Sequence, residues 1–404
     1  MKKTASADIV IFGGGIAGLW LLNRLRQSGL SVILLESGYL GGGQTHKAQG
    51  IIHGGMKYVL QGTFTRDAYA MQEMPHIWKQ CLQGKGEIDL SHVPILSAQH
   101  YLWSQHKFTS KLAGLFANLA LTNKVESLSK ENYPTVFQHP AFKGEVFSLD
   151  EMVIDVTLLI RELVKVNQDV IFKIEPLCGE ELTCDDQGHL VSATVYMAGK
   201  SIEITAQHFV FTAGVGNEII IHKLKSQEVA MQRRPLHMVL VKTPFDYPLY
   251  AHCLGFGPRP RMTITTHRTQ DGSTIWYVGG QLAEDGVTRD TQAQIKAARE
   301  ELKALFPWLD FSEAVFATLM IDRAEPWQKN GIKPETSFIK TIHNITIAWP
   351  TKLALAPKLA QDILEDIQAM HLQPKIFDTR ELRSWPIPPL ARPIWEDAFC
   401  KNVA

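Results

Sequence analysis

Three spaced glycines near the start constrain this chain more than any other feature. Gly13, Gly15 and Gly18 stand between the apolar run Ile9-Val10-Ile11-Phe12 and a helix-like run, and a second apolar run, Val32-Ile33-Leu34-Leu35, ends in Glu36. Strand, glycine turn, helix, strand and acid is the order that an ADP-containing dinucleotide requires. Gly13 permits a tight turn, Gly15 removes the side chain that would block a pyrophosphate, and Gly18 lets the helix lie against the sheet. The helix N-terminus offers N–H groups and a positive dipole to phosphates. Glu36, at the tip of the second strand, is placed to accept hydrogen bonds from ribose hydroxyls. The motif alone leaves NAD(P) and FAD both open.

Met1-Lys2-Lys3 before an apolar stretch also opens like a secretory signal. Three consecutive glycines, followed by Asn23, Arg24 and Arg26, interrupt that stretch before any cleavage site. At 404 residues the chain can bury a large core, and two domains are the natural expectation. Basic and acidic residues balance at 41 each, so nothing suggests a general nucleic-acid binder, and no nucleic acid is expected as a partner. The five cysteines, Cys81, Cys178, Cys184, Cys253 and Cys400, show no CxxC or zinc-like spacing; they read as reduced thiols, and no metal is expected. No run of 18 uninterrupted apolar residues occurs, so no spanning helix is expected. The expected location is cytoplasmic, with peripheral contact at the inner face of a membrane left open.

From Ser37 to Gly50 the chain is polar and glycine-rich, too long for a simple turn and read as lining a ligand. An amphipathic helix is expected near Phe64–Leu82, and another over Asp150–Val166 with Val153, Val156, Leu159, Ile160 and Leu163 on one face. A hairpin is expected at 181–206, turning near Asp185-Asp186-Gln187-Gly188. His208 to Phe211 reads as a buried strand entering a small-residue turn. Residues 236–285 are strand-rich, and a helix is expected over Thr291–Phe306, ended by Pro307. The strand Asn344–Ala348 leads through Trp349-Pro350-Thr351-Lys352-Leu353 to a helix over Ala356–Met370. Residues 376–404, rich in Pro and Trp, read as an irregular tail packed on the body. The sum is an α/β chain, α+β overall, with a discontinuous nucleotide domain (1–83, 146–235 and 336–375) and an inserted mixed-sheet substrate domain (84–145 and 236–335). That split argues against a simple NAD dehydrogenase, whose nucleotide domain is usually one block.

In order, and over almost the whole chain, these features resemble the D-amino-acid-oxidase-like (DAO) superfamily of FAD-dependent oxidoreductases. The resemblance implies FAD and a Rossmann-like FAD-binding domain of the glutathione-reductase type. Gly13, Gly15, Gly18 and Glu36 match the N-terminal FAD motif of that superfamily, and Phe211-Thr212-Ala213-Gly214 matches the strand-end turn that passes the cofactor. Ile347 to Ala360 looks like the last strand and helix, whose N-terminus points at the flavin pyrimidine ring in the family. The sharpest local match is Ile51-Ile52-His53-Gly54-Gly55-Met56-Lys57-Tyr58. It is similar to the "VHGGLRY" or "LHSGARY" segment of FAD-dependent glycerol-3-phosphate dehydrogenases, and related to the "VIHSG" segment of L-2-hydroxyglutarate dehydrogenases. Departures are Lys57 for an arginine, Gln44–Gln49 for a serine-rich loop, and Pro350-Thr351-Lys352 for Gly-Gly-Lys. No counterpart of the extra C-terminal domain of the longer glycerol-3-phosphate dehydrogenases is expected. The expected cofactor contacts are Gly13, Gly15, Ile16, Ala17, Gly18, Glu36, Ser37, Gln44, Thr45, Gln49, Gly50, Ile52, Thr212, Ala213, Gly214, Thr351, Lys352 and Leu353.

Flavin oxidation of a C–H bond beside O–H or N–H needs the carbon against flavin N5, a base for the polar hydrogen, and a positive field for the reduced ring. An anionic substrate also needs a fixed cation. His53 is the expected base or flavin-side hydrogen-bond partner, because imidazole takes a proton near neutral pH; a structural histidine anchoring its loop is the alternative. Arg323 occupies the place of an arginine that anchors substrate anions in many relatives, and its planar fork suits carboxylate or phosphate. Pairing with Asp322 or Glu325 is the alternative. Lys352 and Thr351, before the last helix, are expected to stabilise negative charge at flavin N1 and O2. Lys57, Tyr58 and Arg268 are expected at the substrate. The expected activity is oxidation of a small anionic hydroxy compound, glycerol 3-phosphate or a 2-hydroxy acid, by hydride transfer to flavin N5. The rivals are an amine oxidase of the glycine or sarcosine oxidase type and, from another class, a protein whose flavin is structural within a complex. Oxygen, a quinone and a redox partner all stay open as the electron acceptor.

Overall fold

The structure, a computed structural model, describes residues 3–54, 66–105, 125–225, 228–255, 259–373 and 377–399. Lys57 and Tyr58 lie outside these, as does Phe64; the helix expected there is described over Arg66–Leu82.

The Thr4–Phe12 strand sits in the middle of an eight-stranded sheet, parallel to Val32–Glu36 on one side and to Lys200–Phe211 on the other. Ile171–Lys173 extends the sheet beyond Val32–Glu36, and Ile345–Trp349 runs parallel to Lys200–Phe211. Ile9, Val10, Ile11 and Phe12 are all buried, the signature of a parallel sheet covered on both faces. One cover is the helix Ile16–Gln27, which lies between the helices Ala356–Ala369 and Val156–Lys165. In Ala356–Ala369 the buried residues Leu359, Ala360, Ile363, Leu364 and Ile367 form the apolar stripe that meets it.

A second, mixed eight-stranded sheet runs Val315–Ile321, Leu236–Lys242, Thr274–Gly279, Pro260–Arg268, Ala251–Leu254, His100–Ser104, Glu145–Leu149 and Val125–Ser127. The helix Thr291–Leu305 is started by the Asp290 carboxylate, which accepts the Ala293 N–H at 2.8 Å. It helps bury Trp103, Phe137, Trp276 and Phe306. A small third sheet joins Ile51–Ile52, Met152–Ile154 and Ile95–Ser97.

Two local expectations change. The helix expected from Asp150 starts at Val156, with the Asp155 carboxylate accepting the Leu158 N–H at 2.9 Å. Met152–Ile154 ahead of it is a strand, because Val153 pairs with Ile51 across a distance that local periodicity cannot see. The region 181–206 contains two successive antiparallel pairings, the second turning at Ala198-Gly199. The tail packs on the body as read: Ser6 bridges Asp378, Leu40 exchanges backbone bonds with Pro389 and Ala391, and Trp395 stacks on His267 at 4.0 Å. No helix among the described residues is long and apolar enough to cross a membrane.

Candidate cofactor and substrate site

The central strand ends at Phe12, and Gly13 turns out of it at φ +109°, where a Cβ would stand 2.7 Å from the Thr212 and Ala213 backbone. Gly18 is packed more tightly still: its Cβ would lie 1.9 Å from the Gly13 carbonyl oxygen. Gly15 precedes the helix, and the first helical N–H, of Ile16, donates to Thr45 Oγ1 at 3.1 Å. Glu36 accepts the Gly14 N–H at 2.6 Å and also that of Gly38. The carboxylate therefore braces the glycine turn, a task that the sequence did not reveal.

These groups open onto a cavity of about 970 Å³. Every expected cofactor contact lines it except Gly18, Gly50 and Ile52. Gly18 serves the packing beneath; Gly50 turns at φ +75° against the Ile154 carbonyl, and Ile52 is core. The turn after the Lys200–Phe211 strand is held by Asn217, fully buried, which accepts the Ala213 N–H at 2.8 Å and donates to the Ala348 carbonyl at 3.1 Å. Asn217 is a residue that sequence reasoning missed.

Also in this wall, Thr351 is held at φ +59°, a left-handed conformation that disfavours a β-branched residue. Its hydroxyl donates to the Thr336 carbonyl at 2.9 Å, and Lys352 Nζ donates to the Glu335 carbonyl at 3.1 Å. Thr351 thus keeps the backbone course that a glycine adopts freely, tied down through its side chain. A 3-10 turn over Leu353–Leu355 then leads into the helix Ala356–Ala369, with Pro357 in its first turn.

Arg323 lines the same cavity. Its acidic neighbours are engaged elsewhere: Asp322 with Arg233 at 2.8 Å, and Glu325 with Arg234 in a two-point pair at 2.8 and 3.0 Å. Arg323 Nε donates to the Arg234 carbonyl at 2.9 Å, while its buried Nη2 has no partner. Burial first, then the Arg234 charge, pull its pKa down to about 10, which leaves it charged at neutral pH. Gln44 accepts the Ala324 N–H at 2.9 Å and so ties the cofactor loop to the Arg323 turn. Lys47, part of the Ser37–Gly50 stretch expected to line a ligand but not singled out within it, is a further lining cation. Arg268 does not join this group. It pairs with Asp246 at 2.5 Å and with Thr274 Oγ1 at the end of its strand, and it is absent from the cavity wall.

His53 also lies outside the cavity lining, just past the Ile51–Ile52 strand. Its Nδ1 is 3.2 Å from Glu151 Oε2, and the Gly54 N–H donates to Glu151 Oε1 at 2.8 Å. Burial pushes the Glu151 carboxyl up, but His53, His252 and the Gly54 N–H together outweigh it, and the net shift is downward. The His252 ring stacks on His53 at 5.9 Å, and burial holds its pKa down to about 4. His252 Nδ1 is 2.8 Å from Thr263 Oγ1, and the Thr263 carbonyl accepts from the Gln49 amide of the cavity wall at 3.4 Å. Behind His252 stands His100, fully buried, with neither ring nitrogen partnered.

A glycine cradle that a Cβ would fill, a helix N-terminus at its edge, and a cavity lined both by Glu36 and by Thr351, Lys352 and Leu353 fit FAD and define a flavin-dependent oxidoreductase. The chain belongs to the DAO family, FAD dependent oxidoreductases, whose match covers residues 8–328, and FAD is its cofactor. It is 46% identical over 404 residues to the probable FAD-dependent oxidoreductase PA4991 of Pseudomonas aeruginosa, covering 99% of this chain and 100% of that one. The crystal structure of PA4991 superposes with a TM-score of 0.84 at 43% identity, again over 99% and 100% of the two chains. An alpha-glycerophosphate oxidase of Streptococcus pyogenes is 26% identical over 308 residues, 70% of this chain and 48% of the relative, so the chain spans about half of that protein. Glycine oxidase of Geobacillus kaustophilus shares the fold, with a TM-score of 0.62 at 13% identity over 96% and 99% of the chains.

Proposed function

We propose that the protein oxidises a small anionic hydroxy compound, glycerol 3-phosphate or a 2-hydroxy acid, to the corresponding carbonyl compound. One observation carries this reading: Arg323 is a buried cation in the cavity wall whose neighbouring carboxylates are spent on Arg233 and Arg234, leaving Nη2 unpartnered. An unsatisfied buried guanidinium edge is costly unless an anion completes it. Bound FAD supplies a hydride acceptor at N5. Residues 1–83, 146–235 and 336–375 serve as the FAD-binding domain, and 84–145 with 236–335 as the substrate domain. The glycine turn and Glu36 hold the ADP half, while the Gln44–Gln49 loop and Thr351–Leu353 flank the flavin half. Arg323 orients the substrate anion, and Lys352 adds positive field at the end where charge develops. In the balance of the reaction the substrate loses a hydride from carbon and a proton from oxygen, and His53 takes the proton. The alpha-glycerophosphate oxidase likeness supports a phosphorylated substrate, but a carboxylate would engage the same fork.

The test is anaerobic mixing of the yellow holoprotein with glycerol 3-phosphate, L-2-hydroxyglutarate, L-lactate, glycine and sarcosine. A hydroxy compound should bleach the flavin band. Bleaching by glycine or sarcosine alone would make the protein an amine oxidase and end this reading.

A further inference from the structure

We propose that Glu151 is a positioning residue for His53: its buried carboxylate holds the imidazole Nδ1–H and leaves the Nε2 lone pair to accept the substrate's proton. This rests on the reading of His53 as the base, and it adds a residue 98 positions away that no motif marks. An ionised carboxylate only accepts hydrogen bonds, so the proton of the 3.2 Å contact belongs to His53 Nδ1. A neutral ring then carries its lone pair at Nε2.

The same carboxylate fixes the backbone beside the ring. Glu151 Oε1 accepts the Gly54 N–H at 2.8 Å while Oε2 takes the imidazole, so one side chain sets both the course of the loop and the orientation of His53. Glu151 is 4% exposed and stands just before the Met152–Ile154 strand, which pairs with Ile51–Ile52. The acid and its histidine are therefore delivered by adjacent strands of one small sheet. When His53 takes the substrate's proton, the imidazolium forms against a carboxylate. The His252 ring on its other side stays neutral and adds no opposing charge. Thr263 connects this group to the cavity wall through His252 Nδ1 at 2.8 Å and the Gln49 amide at 3.4 Å.

Glu151→Gln keeps the shape and removes the fixed polarity. Its amide must turn an NH2 group toward either the Gly54 N–H or His53. Facing His53, it donates to Nδ1 and drives the ring to the Nε2–H tautomer, which has no lone pair for the substrate. In comparable acid–histidine pairs a wrong tautomer costs on the order of 10⁴ in rate.

The experiment is nitrogen-15 NMR of histidine-labelled holoprotein, with the His53 signals assigned by their loss in His53→Asn, alongside anaerobic flavin reduction by the substrate. Wild type should show His53 as the Nδ1–H tautomer. In Glu151→Gln it should become the Nε2–H tautomer, with flavin reduction at least 100-fold slower and substrate affinity within about threefold. Glu151→Asp, which keeps a carboxylate, should recover part of the rate. A wild-type Nε2–H tautomer would overturn the proposal whether or not the variants fold, as would a Glu151→Gln rate within threefold of wild type. His53, Glu151 and His252 also offer ligand atoms within 4.8 Å of one another, so flavin reduction lost on chelation and restored by zinc would overturn it in favour of a metal. The tautomer is read without substrate, so failure here is distinguishable from a wrong substrate class.

Discussion

Gly18→Ala is a small change that should cost the protein its cofactor. The new Cβ would lie 1.9 Å from the Gly13 carbonyl oxygen and 2.8 Å from Thr212 Oγ1, where ordinary contact begins near 3.4 Å. The helix Ile16–Gln27 would have to retreat by about 1.5 Å, the difference between 3.4 and 1.9 Å, or the glycine turn would have to yield. The turn is held by Thr212, whose hydroxyl donates to the Phe12 and Gly13 carbonyls at 3.2 Å, so the helix is the part that moves. Overpacking of this kind costs about 1–3 kcal/mol. On the proposed assignment of the displaced groups to the cofactor phosphates, about 2 kcal/mol should appear in FAD affinity, roughly a 30-fold weaker Kd. Flavin fluorescence titration of the apoprotein measures it, with thermal unfolding of the apoprotein in parallel. Gly29→Ala is the control: Gly29 sits at φ +84° with open space around it, so alanine there should lower Tm through backbone strain and leave FAD affinity unchanged. Gly18→Ala binding FAD within threefold of wild type would refute the packing argument.

Arg323→Met should weaken apparent substrate affinity by about 3 kcal/mol, roughly 150-fold, while FAD affinity stays within about threefold, because a desolvated charge-assisted contact is lost. Equal losses of both, measured by titration, would remove Arg323 from the anion site. Acid should destabilise the fold through His208, which is 1% exposed, bonded at 2.8 Å to Thr346 Oγ1, and held by burial down to about 4. Its folded pKa lies below the unfolded value of 6.5, so the unfolded chain binds the proton first and stability falls as pH drops from 6.5 toward 4. The full contribution is about 3 kcal/mol, and His208→Gln should flatten the fall of Tm between pH 7 and 4.5; an unchanged slope would contradict it.

The glycine motif was legible because its physics is local: turn, helix start and strand-end acid follow one another in sequence. The same holds for Ala356–Ala369, whose apolar stripe and early Pro357 announce it. The helix expected from Asp150 failed where long-range pairing decides, since Met152–Ile154 becomes a strand only in the presence of Ile51 and Ile95. Arginine positions show the same limit. Arg323 and Arg268 look alike in sequence, but Asp246 claims Arg268, whereas Arg233 and Arg234 take the acids beside Arg323. His53 was singled out by its glycine-flanked segment. Glu151 and His252 carry no local signal, because each reaches His53 from a different strand region.

On the proposed function, FAD occupies the cavity and a substrate anion sits at Arg323. Anaerobic mixing of wild-type and Arg323→Met holoproteins with glycerol 3-phosphate, L-2-hydroxyglutarate and uncharged glycerol tests it most directly. Wild type should be bleached by an anionic compound and not by glycerol, and Arg323→Met should stay yellow at the same concentration with its FAD retained. Bleaching of both proteins alike, or of neither by any hydroxy anion, would contradict it.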